Sequence, residues 1–331
     1  MCEVVILGRS TAELELLRPL LADSPYKPYR HLGGLSRRDI VGFWLDTVVE
    51  QGQCGSVTAC VRDGRIAGFA VLNELMWESS VIGRRIWGIE QLVVAPGESD
   101  GGHILDLLVA RALSLAADQH ADTVHCKRFT DDMTACHTLE RNGFRLVDTQ
   151  LVYGRGLGDV ATESSSPGHE TGRLTIRLAD RTDVGDLVQV ARASFKDFFG
   201  RFHSDHRLPP GAASKIYEEW IRSSLDGYAD HVVLAEEDGV VAACSIWRKP
   251  SAREAKLSIR VGHYSLGMVH PDFQRRGLFT AVTRRGLQLL EGAADYAVGP
   301  THVNNHGVQR GYARLGWQIV DATHTFHAWL R

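Results

Sequence analysis

The chain repeats itself after about 175 of its 331 residues, and this repeat constrains its architecture more than any single motif. The clearest repeated segment is a pair of apolar runs joined by an Asp-Gly turn, which is typical of a β-hairpin. The matching segments are residues 57–71 and 232–244, 91–96 and 266–271, and 141–148 and 314–321. Trp44 and Trp220 each lie in a helical pattern just before the hairpin. Because order and spacing agree, we predict two copies of one fold.

One stretch of linker-like composition separates the two copies. Residues 157–173 are rich in Gly, Ser, Thr and Pro and poor in apolar residues, so they cannot bury a core face. We therefore predict an N-terminal domain at residues 1–156, a linker at 157–173 and a C-terminal domain at 174–331.

Each copy alternates strand patterns with helix patterns, which predicts an α/β (α+β) domain with a central mixed, twisted sheet flanked by helices. The order is a strand, one or two helices, a hairpin, a further strand, and then helix, strand, helix, strand. In the second copy we predict helices at residues 183–199, 212–225, 278–292 and 307–315, and closing strands at 317–320 and 325–330.

Composition excludes several classes of protein. The formal net charge of −3 argues against a general nucleic-acid-binding protein, which needs a broad basic surface. No apolar run reaches the roughly 18 residues of a membrane-spanning helix, and residues 1–7 lack the basic region of a signal peptide. The six cysteines include no Cys-x-x-Cys pair. We expect a cytoplasmic protein with buried, reduced thiols, without a metal, nucleic-acid or membrane partner, either monomeric or homodimeric.

The strongest local signal for a binding site is the Gln-Arg-Arg-Gly-Leu turn at residues 274–278. An apolar strand ends before it, and a helical pattern begins at Leu278. Backbone N–H groups at a helix N-terminus bind phosphate, and Gly277 lets the backbone approach a ligand closely. Arg275 and Arg276 can add charge-assisted hydrogen bonds. The alternative interpretation is a solvated, basic helix start.

The turn belongs to the first of two motifs that resemble those of the GNAT superfamily of N-acetyltransferases. This motif is Val-x-Pro at a strand end, followed by Gln/Arg-x-x-Gly-x-Gly/Ala at a helix start. Residues 269–271 and 274–278 match it, with Phe279 where Gly or Ala is commoner. The resemblance covers residues 174–331 well and residues 3–153 loosely, and it implies two tandem GNAT-like domains.

The second motif is Asn-x-x-Ala-x-x-x-Tyr-x-x-x-Gly-Phe. Asn305, Tyr312 and residues 316–317 match it at the right spacing, while Gly307 and Val308 replace its usual small residue. Two spaced motifs together are far more specific than the turn alone.

The resemblance implies acetyl-CoA, or another acyl-CoA, as co-substrate. The implied cofactor-binding residues are Met268, Val269, Gln274, Arg275, Arg276, Gly277, Leu278, Phe279, Asn305 and Tyr312. Met268 and Val269 would act through the backbone of a splayed strand. Asn305 would bond the pantetheine arm, which is compatible with its capping a helix. Tyr312 would protonate the departing thiolate, the alternative being that it only packs on the sheet.

The motifs do not identify the general base. Family members often carry a glutamate on the strand before Val-x-Pro, but residues 261–266 contain no carboxylate. His263, Tyr264 or Ser265 can take a proton from an ammonium group through a water, although each also suits an ordinary position in the sheet. We take His263 as the candidate catalytic base and Tyr264 as a candidate substrate contact.

A further resemblance is to the dTDP-fucosamine acetyltransferase branch, in which a reduced GNAT-like domain precedes a GNAT domain. The matching segments are residues 199–205, 216–221 and 326–330. In that branch the first segment precedes a substrate-covering helix. Arg201 and His203 are therefore candidates for binding a phosphate or sugar hydroxyls, the alternative being a plain surface loop.

The N-terminal copy departs from the motifs. Glu98 and Asp100 stand in its turn, where acids repel a pyrophosphate, and Leu139 stands where the second copy has Tyr312. We expect this copy to transfer no acyl group and to support the C-terminal domain or form a wall of its acceptor site. Glu90, on its fourth strand, is then a candidate substrate contact. The glycines of its turn leave coenzyme A binding open.

Together the two resemblances imply an acetyl-CoA-dependent N-acyltransferase that acts by direct transfer to a small-molecule amine, with an amino sugar linked to a nucleotide as the substrate. No cysteine lies in a nucleophile setting, so a covalent intermediate is not expected. A non-catalytic acyl-CoA-binding or scaffold protein is the alternative, because the carboxylate base is missing. An amino acid, an aminoglycoside-like compound or a peptide amine is the alternative acceptor.

Overall fold

A computed structural model describes residues 2–158 and 174–331 of the chain. These residues form two compact units. The N-terminal unit comprises Met1–Thr149 with Ala322–Arg331, and the C-terminal unit comprises Gln150–Asp321. Residues 159–173, most of the predicted linker, lie outside the described residues.

The strands and helices follow the alternation expected from the sequence. The strands are β1 (Cys2–Ile6), β2 (Ser56–Arg62), β3 (Arg65–Glu74), β4 (Ile86–Val94), β5 (Thr123–Phe129), β6 (Arg145–Gly156), β7 (Leu174–Leu178), β8 (His231–Glu237), β9 (Val240–Arg248), β10 (Val261–Val269), β11 (Tyr296–His302) and β12 (Gln318–Trp329). The helices are α1 (Thr11–Leu14), α2 (Arg18–Asp23), α3 (Arg37–Cys54), α4 (Met76–Ile82), α5 (Gly101–Asp118), α6 (Met133–Arg141), α7 (Val184–Phe195), α8 (Arg201–Ser204), α9 (Ala212–Ser223), α10 (Leu278–Leu290) and α11 (His306–Arg314).

Each unit contains a mixed sheet with one parallel pair. In the N-terminal unit the strand order is β1-β2-β3-β4-β5-β12, and only β4 and β5 are parallel. In the C-terminal unit the order is β6-β11-β10-β9-β8-β7, and only β10 and β11 are parallel. The predicted fold class, a mixed sheet flanked by helices in each of two copies, is confirmed.

The sixth strand of each sheet comes from the other half of the sequence. The end of β6 pairs antiparallel with β11, with Gln150 opposite His302. The end of β12 pairs antiparallel with β5, with Trp329 opposite Thr123. The compact units therefore do not coincide with the predicted domains, residues 1–156 and 174–331, because the closing strands are exchanged.

The closing strand of the second copy is also longer than predicted. We predicted two strands at residues 317–320 and 325–330, but β12 runs without interruption from Gln318 to Trp329. The segment contains no Gly or Pro that would end a strand. Helices α9, α10 and α11 match their predictions within two residues, whereas α7 ends at Phe195, four residues early.

The sheet of the C-terminal unit is covered on both faces. One apolar cluster joins α10 and α11 to the sheet and contains Trp247, Tyr264, Val282, Leu287, Tyr312 and Trp317. The other joins α7 and α9 to the sheet and contains Leu187, Ala191, Ile221, Leu234, Ile246 and Met268. Because β10 contributes to both clusters, its course between them is fixed by packing on either side.

The described residues bear on three expectations from the sequence, which concern membrane-spanning helices, metal ligands and cysteines. None of their helices combines the length and the apolar composition required to cross a bilayer. Their His, Cys, Asp and Glu side chains form no group of three that could hold a metal ion. All six thiols are free and four are buried. The expectation of buried thiols is wrong for Cys54, which is exposed at the end of α3.

Candidate active site

Strands β10 and β11 separate after a short parallel stretch. They pair only where Val261–His263 faces Tyr296–Val298. Beyond this stretch β10 remains paired with β9 as far as Val269, and β11 remains paired with β6 as far as His302. The gap between the two strands leaves the backbone groups on their facing edges without a strand partner.

The backbone of Val269 faces this gap. The N–H of the next residue, His270, donates to Ala242 O at 2.8 Å on the β9 side. Backbone groups of successive strand residues point to opposite sides, so those of Val269 point away from β9. Its carbonyl accepts a 3.0 Å hydrogen bond from the Ser194 hydroxyl of α7. This orientation is the one that the predicted backbone contact with pantetheine requires.

A cavity of about 830 Å³ lies between the end of β10, the start of α10 and helix α11. Eight of the ten predicted cofactor residues line it: Met268, Val269, Gln274, Arg275, Gly277, Leu278, Phe279 and Asn305. The other two, Arg276 and Tyr312, are not part of its wall. The structure therefore brings most of the two motifs to one concave surface.

The turn before α10 presents backbone N–H groups to the cavity. Arg275 (φ +64°) and Gly277 (φ +82°) have left-handed backbone conformations, which in turns produce concave, anion-binding runs of N–H groups. The first helical hydrogen bond runs from Ala281 N–H to Gly277 O at 3.0 Å, so the N–H groups of the first turn precede the ladder. A Cβ added at Gly277 would meet nothing within 4 Å. The turn is thus open to a phosphate group.

The two arginines of this turn have different surroundings. Arg276 donates to Glu237 Oε2 and to the Asp272 carbonyl, both at 2.9 Å, and its guanidinium lies 4.9 Å from the centroid of the Phe273 ring. Arg275 lines the cavity, and its guanidinium makes no hydrogen bond or ion pair within the described ranges. Arg275 is therefore the arginine that faces a ligand, while Arg276 ties the turn to β8.

Two further arginines, which the sequence analysis missed, line the same cavity. Arg310 and Arg314 lie one turn apart on α11, are exposed, and have no ion-pair partner in the part of the chain that the structure describes. They share their helix face with Gly307 and Gly311, which also line the cavity. The i, i+4 spacing was a visible signal, but the motif comparison used only the fixed motif positions.

Asn305 both caps α11 and lines the cavity. Its Oδ1 accepts a hydrogen bond from the Val308 N–H at 3.4 Å. This bond uses the acceptor of the amide and leaves its NH₂ group for another partner. The capping role and the predicted contact with the pantetheine arm are therefore compatible.

Tyr312 is fully buried, and its hydroxyl lies where the strands part. Its ring is 4.9 Å, centroid to centroid, from each of Tyr153 and Trp317. A Cβ added at Gly299, the first β11 residue beyond the parallel stretch, would lie 2.8 Å from the Tyr312 hydroxyl oxygen. Among the described residues this hydroxyl has no hydrogen-bond partner. Burial raises the pKa of Tyr312 well above its ordinary value, so the phenol keeps its proton.

The carboxylate that β10 lacks comes from another segment. Glu254 begins a short 3₁₀ turn (Glu254–Lys256), and its Oε1 lies 2.6 Å from His263 Nε2. The Glu254 side chain is 8% exposed and that of His263 is 30% exposed. Sequence reasoning missed Glu254 because it is nine residues away in an irregular segment. The Ser-x-x-Glu spacing at residues 251–254 marks a turn start but does not reveal a histidine partner.

The predicted acceptor residues of the C-terminal unit lie in different places. Tyr264 is 3% exposed and packs edge-on against Trp247 and Tyr312, which makes it part of the core. The His203 ring is partly buried against Tyr217, its Nε2 is 2.9 Å from a backbone carbonyl, and burial lowers its pKa. The Arg201 guanidinium lies 4.3 Å from the centroid of the neighbouring Phe202 ring. Their substrate contacts stay predictions.

An aromatic pair, also missed from the sequence, lies at the cavity and contains the exposed Phe199. Phe199 lines the cavity, is 41% exposed, and packs edge-on against His302 at a centroid distance of 4.6 Å. His302 ends β11, so this pair marks the end of the gap between the strands.

The acidic turn of the N-terminal unit is neutralised internally. Arg62 of β2 donates to Glu98 Oε2 at 2.9 Å and to Asp100 Oδ1 at 2.7 Å, in front of α5. In the repeat, Arg62 is equivalent to Glu237 and Asp100 to Arg275. The same two surfaces, a strand end and a turn, thus carry opposite charges in the two copies.

Glu90 is exposed on β4 of the N-terminal unit. It accepts a hydrogen bond from Gln51 Nε2 at 3.4 Å. Its predicted contact with the substrate stays a prediction.

Two buried cysteines are unsuited to covalent catalysis. Burial raises the pKa of Cys126 to about 12 and raises that of Cys244 beyond the range of ordinary thiols. Because the thiolate is the nucleophile, such thiols are inert near neutral pH. Neither Cys126 nor Cys244 is therefore suited to form a covalent acyl intermediate.

No protein-family model matches the chain. A similar protein of known sequence is the spore coat polysaccharide biosynthesis protein SpsD of Bacillus subtilis (strain 168). It is 20% identical over 269 residues, which are 81% of this chain and 86% of that protein.

Solved structures share the fold at low identity. A GCN5-related glucosamine N-acetyltransferase region of a fungal multi-domain β-N-acetylglucosaminidase has a TM-score of 0.67 and 14% identity, covering 99% of this chain and 38% of that one. A tandem GNAT protein from the clavulanic acid biosynthesis pathway has a TM-score of 0.62 and 14% identity, covering 99% and 98%. The chain therefore has the fold of the tandem GNAT N-acetyltransferases.

Proposed function

We propose that the C-terminal unit is an N-acyltransferase that uses acetyl-CoA or another acyl-CoA. One observation supports this most. A single cavity adjoins an open helix N-terminus and a strand edge that has no strand partner, and the buried Tyr312 hydroxyl lies beside the gap between the strands. An acyl-CoA carries a diphosphate, an amide-rich arm and a terminal thioester. Each part has a chemical counterpart along this path.

In the proposed mechanism the acceptor amine attacks the thioester directly. His263 takes a proton from the ammonium form of the acceptor, and the amine lone pair then forms a bond to the acyl carbon. The carbon–sulfur bond breaks as the attacking nitrogen releases its second proton to water, and the sulfur takes the electron pair and a proton from Tyr312. Water restores the proton of Tyr312 and removes the proton from His263.

The charge of the cavity suits a polyphosphate. Arg275, Arg310 and Arg314 line it, and no ion pair within residues 2–158 and 174–331 neutralises them. The N-terminal copy provides an internal comparison, because the counterpart of Arg314 is Arg141, whose Nη2 is 3.1 Å from Asp106. We assign the three cavity arginines to the phosphate groups of coenzyme A.

Replacement of Arg310 and Arg314 together by glutamine should raise the Kd for acetyl-CoA by about 10-fold, since two exposed cations near phosphate are lost. Calorimetry at low ionic strength measures this, and kcat at saturation should change little. The matched control is R141Q, which removes the equivalent arginine of the other copy and should leave the Kd unchanged. If the double variant bound acetyl-CoA as tightly as the parent, these arginines would not contact the phosphate groups and would only stabilise the C-terminal end of α11.

For the acceptor, we propose an amino sugar linked to a nucleotide. SpsD is named for polysaccharide biosynthesis, and the fungal region with the same fold is a glucosamine N-acetyltransferase. The exposed Phe199 ring beside His302 offers an apolar face with a hydrogen-bonding neighbour, which suits a sugar ring. In this proposal Arg201, His203 and Glu90 remain candidate contacts for the sugar or phosphate part.

The decisive experiment is a screen for release of free coenzyme A from acetyl-CoA. Amino-sugar nucleotides, aminoglycosides, polyamines and amino acids serve as acceptors, and calorimetry measures acetyl-CoA binding in parallel. We expect binding and thiol release with an amino-sugar nucleotide. Release with another amine would change the acceptor, and binding without release for every amine would favour a non-catalytic acyl-CoA-binding protein. Absence of binding would overturn the proposal.

A further inference from the structure

Glu254 is held on two sides in a way that directs one carboxylate oxygen at His263. The Ser251 N–H donates to Glu254 Oε2 at 2.7 Å, and the Glu254 N–H donates back to Ser251 Oγ at 3.2 Å. This reciprocal pair fixes the side chain at the start of its 3₁₀ turn. The remaining oxygen, Oε1, makes the 2.6 Å contact with His263 Nε2. A nearly buried carboxylate held by two partners has little freedom to rotate.

The contact determines which nitrogen of His263 is the base. A carboxylate accepts hydrogen bonds, so the nitrogen that faces it, Nε2, carries the proton. The lone pair of the neutral ring is then on Nδ1. His263 is the last β10 residue paired with β11, and it is 30% exposed at the point where the strands part. The contact with Glu254 therefore leaves Nδ1 as the ring nitrogen that can accept a proton.

The other groups opposite His263 do not supply a second carboxylate. On β9 the opposite residue is Arg248, whose guanidinium lies 4.7 Å from the centroid of the Tyr228 ring and 3.4 Å from its hydroxyl oxygen. On β11 the opposite residue is Val298, which carries no charge. Glu254 is thus the acid that pairs with the imidazolium formed when His263 takes up a proton.

We propose that Glu254 is a positioning residue for His263, which fixes the ring with Nε2 protonated and stabilises its charged form during acyl transfer. The inference rests on the proposed function. In the step concerned, the acceptor ammonium loses a proton to Nδ1, directly or through one water, and keeps the lone pair that attacks the thioester. The imidazolium is then hydrogen-bonded through Nε2 to the ionised Glu254.

The first test compares the pH dependence of E254Q with that of the parent. We expect kcat/KM of E254Q to fall by about 10- to 100-fold, with the acid limb of its pH profile moved to lower pH, because the amide does not stabilise an imidazolium. E254D, which restores a carboxylate, should recover part of the loss. The control is E218Q, which makes the same change at the Arg192–Glu218 ion pair outside the site and should keep the parental profile.

A double-mutant cycle separates positioning from a general loss of stability. If Glu254 acts through His263, then E254Q should cost little more activity once His263 is already glutamine. Full additivity of the two substitutions, or a parental pH profile for E254Q, would overturn the proposal.

A second readout does not need activity. In ¹⁵N-histidine NMR spectra of the parent, we expect the neutral His263 ring as the Nε2–H tautomer, and a mixture of tautomers in E254Q. The Nδ1–H tautomer in the parent would overturn the inference even if acyl transfer is confirmed. The expected tautomer without acyl transfer to any amine would instead locate the failure in the proposed function.

Discussion

Replacement of Tyr312 by phenylalanine should lower kcat by about 100- to 1,000-fold, while the Kd for acetyl-CoA stays within about twofold. The Tyr312 hydroxyl lies beside Gly299, where β10 and β11 part, and it makes no hydrogen bond among the described residues. Because burial raises the pKa of Tyr312, the phenol is protonated at neutral pH, as an acid for the departing thiolate must be. Single-turnover measurement of thiol release tests this directly.

The stability of Y312F distinguishes lost chemistry from lost packing. Removing a buried hydroxyl that has no partner eliminates an unsatisfied polar group, so Tm should stay the same or rise. The matched control is Y153F, since Tyr153 is also buried and lies in the same aromatic cluster. Its turnover should stay within about threefold of the parent. An unchanged single-turnover rate in Y312F would refute the assignment of the acid.

The pH profile gives an independent check on the same residue. A phenol whose pKa lies above its ordinary value remains protonated throughout the neutral and mildly alkaline range. No alkaline limb below pH 10 should therefore come from Tyr312, and the alkaline limb of the parent, if present, should persist in Y312F after correction for its lower rate.

The sequence repeat predicted the two copies but could not predict which half closes each sheet. Residues 145–148 and 318–321 have the same pattern, so either segment satisfies the apolar spacing of either closing position. Strand register and burial therefore discriminate poorly between two arrangements, in which each sheet is closed either by the strand of its own half or by the strand of the other half. The choice depends on side chains that meet across strands, such as His125 opposite His327 on β5 and β12, and these meet only in the folded protein.

The cofactor side of the site was predictable because its chemistry is local. A turn, a helix N-terminus and a strand edge lie within residues 267–279, and their sequence determines their conformation. Glu254 and Arg310 belong to separate segments, and nothing in a strand or helix pattern states that they meet the same gap or cavity. The roles of such residues depend on packing between elements, which a linear pattern does not encode.

The two copies differ in an ion pair between a strand end and the turn, because the acidic and the basic partner have exchanged places. In the C-terminal unit the strand residue is Glu237 and the turn residue Arg276, whose pairing leaves Arg275 free for a ligand. In the N-terminal unit the strand residue is the cation, Arg62, and the turn carries the acids. The cation Arg62 is already paired with the carboxylates beside that helix N-terminus, so it is not available to a phosphate.

This inversion leads to the second large prediction, that R275D should raise the Kd for acetyl-CoA by about 100-fold or more. The substitution gives the turn the residue that the N-terminal copy carries at the equivalent position, Asp100, and it replaces attraction by repulsion toward a diphosphate. Aspartate tolerates a positive φ better than most residues, so the backbone at φ +64° should persist and Tm should change little. Calorimetry with acetyl-CoA, with and without added salt, measures the effect.

The control for R275D must carry the same change of charge without touching the cavity. Arg285 lies on α10, is exposed and is not part of the cavity wall, and among residues 2–158 and 174–331 its guanidinium bonds only to Gln288, at 3.4 Å. R285D should therefore weaken binding by less than about threefold, through the general field alone, and salt should abolish that loss. R275Q should fall between the parent and R275D. If R275D and R285D weakened acetyl-CoA binding equally, the turn would not be the phosphate site. A residue that contacts the phosphate should weaken binding more than a distant residue that undergoes the same change of charge.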